Sequence, residues 1–286
     1  MSRLGVPPAA AVLPGGRRHF QHGPIDLILE AFGAPAEVEA AYAQARHRFD
    51  TILEELVAEL PVLRRPLDED GPGVSGPVAR RMVRACAPHR EVFITPMAAV
   101  AGAVADAVLA AMTDRRRLAK AYVNNGGDIA VFLSPGESLT TGLVTLGERP
   151  SLDAVSRIDA ASPVRGIATS GWRGRSLSLG IADTVTVLAG GAAEADAAAT
   201  LIANAVDIDD PAVRREAARA LDPDSDLGDR PVTLEVGRLA PDQIRRALER
   251  GAATARDMIR RGLILDAFIV LQGRLQVAGR SMSSAA

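Results

Sequence analysis

The sequence is poor in the residues that crosslink a chain or bind structural metals. Cys86 is the only cysteine among the 286 residues, which excludes a disulfide framework and a cysteine zinc site. No histidine follows His89, and the neighbouring His19 and His22 have no third ligand at a suitable spacing. We therefore expect no metal site built on cysteine or histidine.

Aromatic residues and lysine are also scarce. Aromatic residues make up 3% of the chain, so the core must consist of Ala, Val, Leu and Ile, with closely packed helices. Lys120 is the only lysine, and arginine supplies the other positive charges. The net charge of −2 argues against a nucleic-acid-binding protein, which would normally have a basic face. A content of 48% hydrophobic and 24% charged residues is typical of soluble globular proteins.

Export and membrane signals are missing as well. The N-terminus has no basic segment followed by a long apolar stretch, so we expect a cytoplasmic protein without a signal peptide. The most apolar segment, 96–112, contains little leucine and carries Asp106, which favours a buried helix over a membrane span. Asp106 is the lone charge in that segment, and it is either a hydrogen-bonded core acid or a ligand contact.

Strand-like and helix-like patterns alternate along the chain, which predicts a layered α/β (α+β) fold in one domain at 17–279. Residues 1–16 and 280–286 are predicted to be disordered tails, and the acidic segment 207–229 a linker around a short helix. The predicted helices are 36–60, 78–87, 96–112, 192–206 and 241–261, and the predicted strands include 25–29, 92–94, 184–188, 232–236 and two within 263–277. A strand followed by an alanine-rich helix occurs at 92–112 and again at 184–206, which suggests two similar halves.

Residues 121–133 have the pattern of a strand, a tight turn and a second strand. Asn-Gly in the turn is a strong hairpin signal, because the central residues of a type I′ turn need positive φ angles. One interpretation is a plain surface hairpin. The other is that Gly126 and Gly127 let backbone amides approach a ligand, with Asn124 and Asp128 at its rim.

A second patch of small residues lies at 166–171. Its hydroxyl groups, on Thr169 and Ser170, stand beside Gly171. Such a segment is typical of either a Ser/Thr turn or a phosphate contact. The sequence alone does not favour one of these interpretations over the other.

A third patch follows a predicted strand, where Gly190 and Gly191 turn the chain into a helix. Asp196 and Thr200 stand four residues apart and share a face of that helix. The pair could hold Mg²⁺ while the helix N-terminus attracts phosphate. The alternative is a solvated acid and a threonine bonded back to the helix, and spacing alone favours this alternative.

In order and spacing, these patches resemble the ApbE superfamily, whose best-known members are FAD:protein FMN transferases, over roughly residues 92–206. Segment 123–129 resembles the family's strand-Asn-x-Gly-Gly motif, 168–171 its Ser-Gly motif and 195–200 its Ala-Asp-Ala-x-Ala-Thr helix. Gly102 and Asp106 fit its Lys-Gly-Tyr-Ala-Val-Asp helix. The resemblance implies that Asp196 and Thr200 bind a catalytic Mg²⁺.

Two departures from the ApbE pattern bear on catalysis. Ala101 replaces the lysine of the Lys-Gly-Tyr-Ala-Val-Asp helix, and the short segment between Gly171 and Thr184 leaves out the family's histidine-bearing stretch. This short form, with its characteristic segments 23–27 and 96–102, resembles uncharacterised protein family 0280, an ApbE-like branch.

From these observations we expect an ApbE-like protein that binds FAD or a related nucleotide between two halves, with glycine amides and the Ser170 region at the phosphates. Mg²⁺ on Asp196 and Thr200 would bridge the diphosphate, and Asp106 or Asp128 would be the general base. The alternatives are a non-catalytic binding protein that has lost the histidine and an enzyme with a non-flavin substrate, since few aromatic rings are available for stacking. The oligomeric state stays open. All of these expectations require Asn124, Ser170 and Asp196 to share one cavity.

Overall fold

The computed structural model describes residues 7–68, 71, 73–145 and 151–279. The predicted tail at 280–286 and the first six residues lie outside this part of the chain. The strands are β1 (Ala9–Val12), β2 (Arg18–His22), β3 (Ile25–Gly33), β4 (Leu118–Asn125), β5 (Asp128–Leu133), β6 (Ser138–Thr145), β7 (Ser151–Asp159), β8 (Gly166–Ser170), β9 (Thr184–Ala189), β10 (Val213–Ala217), β11 (Pro231–Val236), β12 (Asp266–Leu271) and β13 (Arg274–Gly279).

Six α-helices accompany the described strands. They are α1 (Pro35–Leu63), α2 (Pro77–Cys86), α3 (Val100–Thr113), α4 (Ala192–Ala205), α5 (Ala218–Leu221) and α6 (Pro241–Arg260). Short 3₁₀ turns occur at Pro14–Gly16, Ala87–His89 and Pro96–Ala99. The order of helices and strands confirms the predicted α/β (α+β) fold class.

A nine-stranded sheet runs in the order β1-β2-β3-β4-β5-β8-β9-β12-β13, and every described pairing in it is antiparallel. The pairs β6–β7 and β10–β11 form two separate ribbons. Helices α3 and α4 pack against the central strands β4, β5, β8 and β9, and α6 packs against β12 and β13. A smaller apolar cluster, which includes Val131, Ile158 and Leu188, lies where β6–β7 meets the sheet.

Small residues let α3 and α4 approach each other closely, as the low aromatic content predicts. A Cβ on Gly102 of α3 would overlap the backbone oxygen of Ala192, at the start of α4. The segment Pro96–Thr113 is long and apolar enough to cross a membrane by length and composition, and half of it is buried inside the protein. It packs against α1, α2, α4 and the sheet, as expected for a core helix.

Three segments differ from the sequence-based prediction. Residues 92–94 do not form a strand: Val92 is exposed, and the carbonyl oxygen of Ile94 accepts the N–H of Leu67, which lies outside any strand. Of the two predicted strand–helix units, only 184–206 therefore has its strand. The predicted linker 207–229 contains the strand β10, which was not expected because its residues are mostly charged. β1 lies within the predicted tail, where its backbone pairs with β2.

Candidate functional site

A cleft of about 1030 Å³ opens where the β4–β5 turn and the end of β8 meet the start of α3 and the middle of α4. Segments after β8 and after α5 complete its wall. The polar residues that line it include Thr95, Asn124, Asn125, Asp128, Thr169, Ser170, Arg173, Arg175, Ser176, Asp196, Thr200, Asn204, Asp222, Asp224 and Asp226. Arg64, Phe93, Gly126, Gly127 and Gly171 line it as well.

The three predicted patches of small residues meet in this cleft. Asn124 comes from the hairpin, Ser170 from the end of β8, and Asp196 from α4, and all three line the same cavity. The required convergence is therefore present. What the residues bind stays a prediction.

The hairpin turn is built from Gly126 and Gly127, with φ angles of 67° and 114°. Asn125 and Asp128 form the closing pair, so Gly-Gly rather than Asn-Gly occupies the two central positions. Asn124 Oδ1 accepts a hydrogen bond of 2.8 Å from the Gly127 N–H, which uses this amide inside the turn. Asn125 Nδ2 donates to the Ala101 carbonyl at 3.1 Å and so ties the turn to the start of α3.

Two carboxyl groups lie at the base of the cleft. Asp128 is 9% exposed and accepts a hydrogen bond of 3.3 Å from the Thr169 N–H. Burial raises the pKa of Asp128 to about 7, although the Thr169 N–H and the charge of Arg175 act in the opposite direction. Burial also raises the pKa of Asp196 well above its ordinary value, and the charge of Asp128 raises it further. The two carboxyl groups are therefore close enough to disfavour each other's ionisation.

The carboxylate of Asp196 is held by the neighbouring helix α3. Its Oδ2 accepts a hydrogen bond of 3.0 Å from the Gly102 N–H. Thr200 follows one turn later on α4 and also lines the cleft. Within the described part of the chain, the Thr200 hydroxyl makes no hydrogen bond back to its helix. The back-bonded threonine of the alternative interpretation therefore does not match this geometry, whereas Asp196 is half-buried and has a protein partner on Oδ2.

Asp106 takes the place that a phosphate would need at the N-terminus of α4. Its two carboxylate oxygens accept the N–H groups of Ala192 and Ala193 at 3.1 and 3.0 Å, and Arg81 lies 3.7 Å away. Asp106 is absent from the cleft lining. Of the two interpretations of this residue, the structure therefore shows the hydrogen-bonded core acid, and two amides of the α4 N-terminus are already in use.

A metal centre of several acids or histidines is not found among the described residues, where no group of three or more His, Cys, Asp or Glu side chains could hold an ion. Cation binding in the cleft would therefore depend on Asp196 and Thr200, with Asp128 nearby. Mg²⁺ tolerates such a small protein ligand set, because it usually keeps several waters and adds substrate phosphate oxygens.

The family of the chain follows from a sequence comparison. A family model described as AbpE bacteria matches residues 10–277. The chain belongs to this AbpE family. The match includes every residue that lines the cleft.

Relatives of this AbpE-family chain carry the name UPF0280 protein. One from Methanothrix thermoacetophila is 35% identical over 181 residues, which cover 62% of this chain and 73% of the relative. Another from Methanosarcina acetivorans is 33% identical over 200 residues, which cover 69% and 75% of the two chains. These findings confirm the resemblance that the motifs indicate.

Solved structures of low identity also match. A point mutant of the flavin transferase ApbE from Vibrio cholerae is 14% identical, with a TM-score of 0.46 and coverage of 95% of this chain and 97% of that one. The ApbE protein from Thermotoga maritima is 12% identical, with a TM-score of 0.42 and coverage of 95% and 96%.

Several cleft residues of this AbpE-family chain are not predicted by the motifs. Arg175 follows Ser170 and Gly171 by a few residues, and its positive charge is the one feature of the sequence that could have indicated a binding residue there. The acids at 222–226 come from the segment expected to be a linker, and Thr95 Oγ1 donates to Asp226 Oδ2 to hold that segment against the start of the 3₁₀ turn before α3. Nothing in the local sequence indicates that contact.

Aromatic stacking surfaces are few in the cleft. Among the described residues, Phe93 is the only aromatic one that lines the cleft, and the guanidinium of Arg230 lies 3.2 Å from the centre of its ring. Trp172 does not line the cleft: its Nε1 donates to Asp183 Oδ1 at 3.2 Å, and Arg173 stacks on its ring at 4.5 Å. Trp172 therefore offers no stacking face to a ligand in the cleft.

Proposed function

We propose that the cleft binds FAD or a related nucleotide diphosphate together with Mg²⁺, as expected of an ApbE-like protein. The observation that carries the proposal is the presence of the hairpin, Ser-Gly and Asp-Thr patches in one cavity, although long stretches of sequence separate them. Hydroxyl groups, a glycine turn and guanidinium groups in a single cleft suit a ligand that carries phosphate groups.

The cation half of the proposal is supported by the carboxyl groups themselves. Asp128 and Asp196 are kept close together in a desolvated position where each disfavours the charge of the other. A bound cation removes this conflict. The donors are oxygen atoms of Asp196 and Thr200, which match the preference of Mg²⁺. When bound, Mg²⁺ would polarise a phosphoryl oxygen of the ligand.

The residues of the chain have separate roles in this proposal. Ser170, whose hydroxyl has no hydrogen-bond partner among the described residues, would donate to a phosphate oxygen. Thr169 is tied to Thr186 through their hydroxyl oxygens at 3.0 Å, so it shapes the cleft wall beside Ser170. Gly102 orients the carboxylate of Asp196.

Asp128 is the proposed proton acceptor if the protein transfers the flavin group. A group with a pKa near neutrality can both take up and release a proton at physiological pH. Asp128 lines the cleft and has such a pKa, whereas Asp106 lies outside the cleft with both of its oxygens engaged. None of the four histidines lines the cleft.

The test is FAD binding by isothermal titration, with and without MgCl₂, for the full chain and for Asp196→Asn and Thr200→Val. Asp257→Asn, on the exposed side of α6, is the matched control. We expect Mg²⁺ to tighten FAD binding by the unchanged chain and by the control, and Asp196→Asn to abolish this Mg²⁺ dependence. Unchanged Mg²⁺-dependent binding by Asp196→Asn would overturn the assignment of the site.

A non-catalytic binding protein is the second candidate. It is favoured by the absence of a histidine in the cleft and by Ala101 in place of the family's lysine. Incubation of the purified protein with FAD and Mg²⁺ separates the two. Release of FMN and AMP, or flavin bound covalently to a Ser or Thr of a target protein, indicates an enzyme, whereas tight binding without turnover indicates the second candidate.

A further inference from the structure

Arg175 lines the cleft, but it lies outside the segments that resemble the ApbE motifs. Its side chain is exposed and lines the cleft just after the Ser-Gly patch. A Cβ on Gly126 would overlap Arg175 Nη2, so the guanidinium lies directly against the Cα of the glycine turn. Glycine at position 126 therefore makes room for the arginine as well as permitting the positive φ angle.

The charge of Arg175 is used only in part by the protein. It acts on Asp128 from a distance, but the side chain of Arg175 forms no hydrogen bond or ion pair with any of the described residues. Arg173, two residues earlier, is different: it pairs with Asp183 Oδ1 at 3.1 Å and stacks on Trp172. Arg173 thus has protein partners for its Nε and for one face of its guanidinium, whereas no donor of Arg175 has a partner among the described residues.

A phosphate in this cleft would meet negative charge from Asp128 and Asp196. At short range this repulsion is unfavourable unless positive charge lies between or beside the groups. Guanidinium is suited to this position because its planar fork donates two parallel hydrogen bonds to phosphate oxygens and stays charged at every physiological pH. The glycine turn presents no side chain that would keep an anion away from the guanidinium.

We propose that Arg175 binds a phosphate group of the ligand against the Gly126-Gly127 turn and makes the cleft selective for phosphorylated ligands over their phosphate-free counterparts. The inference rests on the proposed function in one respect, that a phosphorylated ligand occupies the cleft. It does not depend on the flavin part of that ligand.

The test compares three probes, FAD, riboflavin and inorganic pyrophosphate, by isothermal titration in MgCl₂. The proteins are the full chain, Arg175→Gln, Arg175→Lys and the control Arg245→Gln, at an exposed arginine of α6 that does not line the cleft. Arg175→Gln should weaken FAD and pyrophosphate binding roughly 10- to 100-fold, the loss expected for charge-assisted hydrogen bonds. Riboflavin binding should stay unchanged, and Arg175→Lys should recover part of the affinity, since lysine keeps the charge but loses the fork.

The outcomes separate this inference from the flavin proposal. Pyrophosphate binding that depends on Arg175, without FAD binding by the unchanged chain, would support the inference and overturn the flavin ligand. FAD binding that Arg175→Gln leaves intact would overturn the inference and leave the flavin ligand standing. An equal loss of FAD and riboflavin binding would also overturn it, because that pattern indicates a structural role. Binding of none of the probes would overturn both.

Discussion

The N–H of Gly102 on α3 donates a 3.0 Å hydrogen bond to Asp196 Oδ2 on α4. The reverse contact also exists, because Asp106 on α3 accepts the N–H groups of Ala192 and Ala193 on α4. Each helix thus supplies a carboxylate to the N-terminal turn of the other. The spacing is the same in both helices: Asp106 follows Gly102 by four residues, Asp196 follows Ala192 by four, and the N–H groups of Gly102 and Ala192 donate to the carboxylate of the other helix. Such contacts satisfy amides that lack intrahelical partners.

This reciprocal capping has different consequences for the two acids. Asp106 uses both oxygens and is removed from the cleft. Asp196 uses Oδ2 and lines the cleft, so it remains able to contact a ligand or cation. The same local pattern therefore yields one structural acid and one candidate functional acid.

Gly102→Ala should destabilise the protein by about 2 kcal/mol or more, because its Cβ would overlap the backbone oxygen of Ala192, which cannot move without shifting α4. Urea unfolding measures the loss. Gly190→Ala is the control, since a Cβ at that position meets open space. Equal stability of the two variants would mean that α3 and α4 are not packed as closely as described.

Asp106→Asn should lower the free energy of unfolding by about 1–2 kcal/mol, since asparagine has one acceptor oxygen for two amides and no charge at the helix N-terminus. FAD affinity should stay within about twofold of that of the unchanged chain when it is measured at a temperature where the variant is fully folded. A loss of about 1.4 kcal/mol in binding free energy would instead weaken the affinity about tenfold. A loss of affinity or turnover with unchanged stability would instead make Asp106 a functional acid.

Asp128→Asn should stabilise the metal-free protein, and the gain should grow between pH 5 and pH 8. The folded-state pKa of about 7 lies above the ordinary value of 3.8, so the folded protein holds this proton more tightly than the unfolded chain does. The unchanged chain therefore loses stability as the pH rises from about 4 to about 7. The Asp128→Asn variant avoids this loss, because the asparagine oxygen can still accept the Thr169 N–H and carries no charge. We expect a gain of about 1–3 kcal/mol at pH 8.

Thermal unfolding in EDTA across this pH range measures the effect, with Asp257→Asn as the control for a half-exposed acid that pairs with Arg260 and Arg261. A gain that does not change with pH would show that the charge of Asp128 is not the cause. Addition of MgCl₂ should stabilise the unchanged chain at pH 8, which links this measurement to the proposed cation site.

Local pattern was sufficient for most of the elements. The helices at Pro35–Leu63 and Pro241–Arg260 match those predicted at 36–60 and 241–261, and the hairpin follows from its glycines. The strand predicted at 92–94 is wrong because an apolar run forms a strand only beside a partner strand, and none adjoins it in the described structure. β10 was missed because its residues are largely polar and alternate without an apolar face.

The sequence by itself determined the fold class, the small-residue character of the core and the residue types available for a phosphate or cation, because propensity, periodicity and turn chemistry act over a few neighbouring residues. Only the tertiary structure decided which acid of the equivalent pair Asp106 and Asp196 reaches the cleft, and that Arg175 lies against Gly126. Those relationships depend on the crossing of two helices and the packing of separate segments, and the free energy that sets them is shared among residues far apart in the chain.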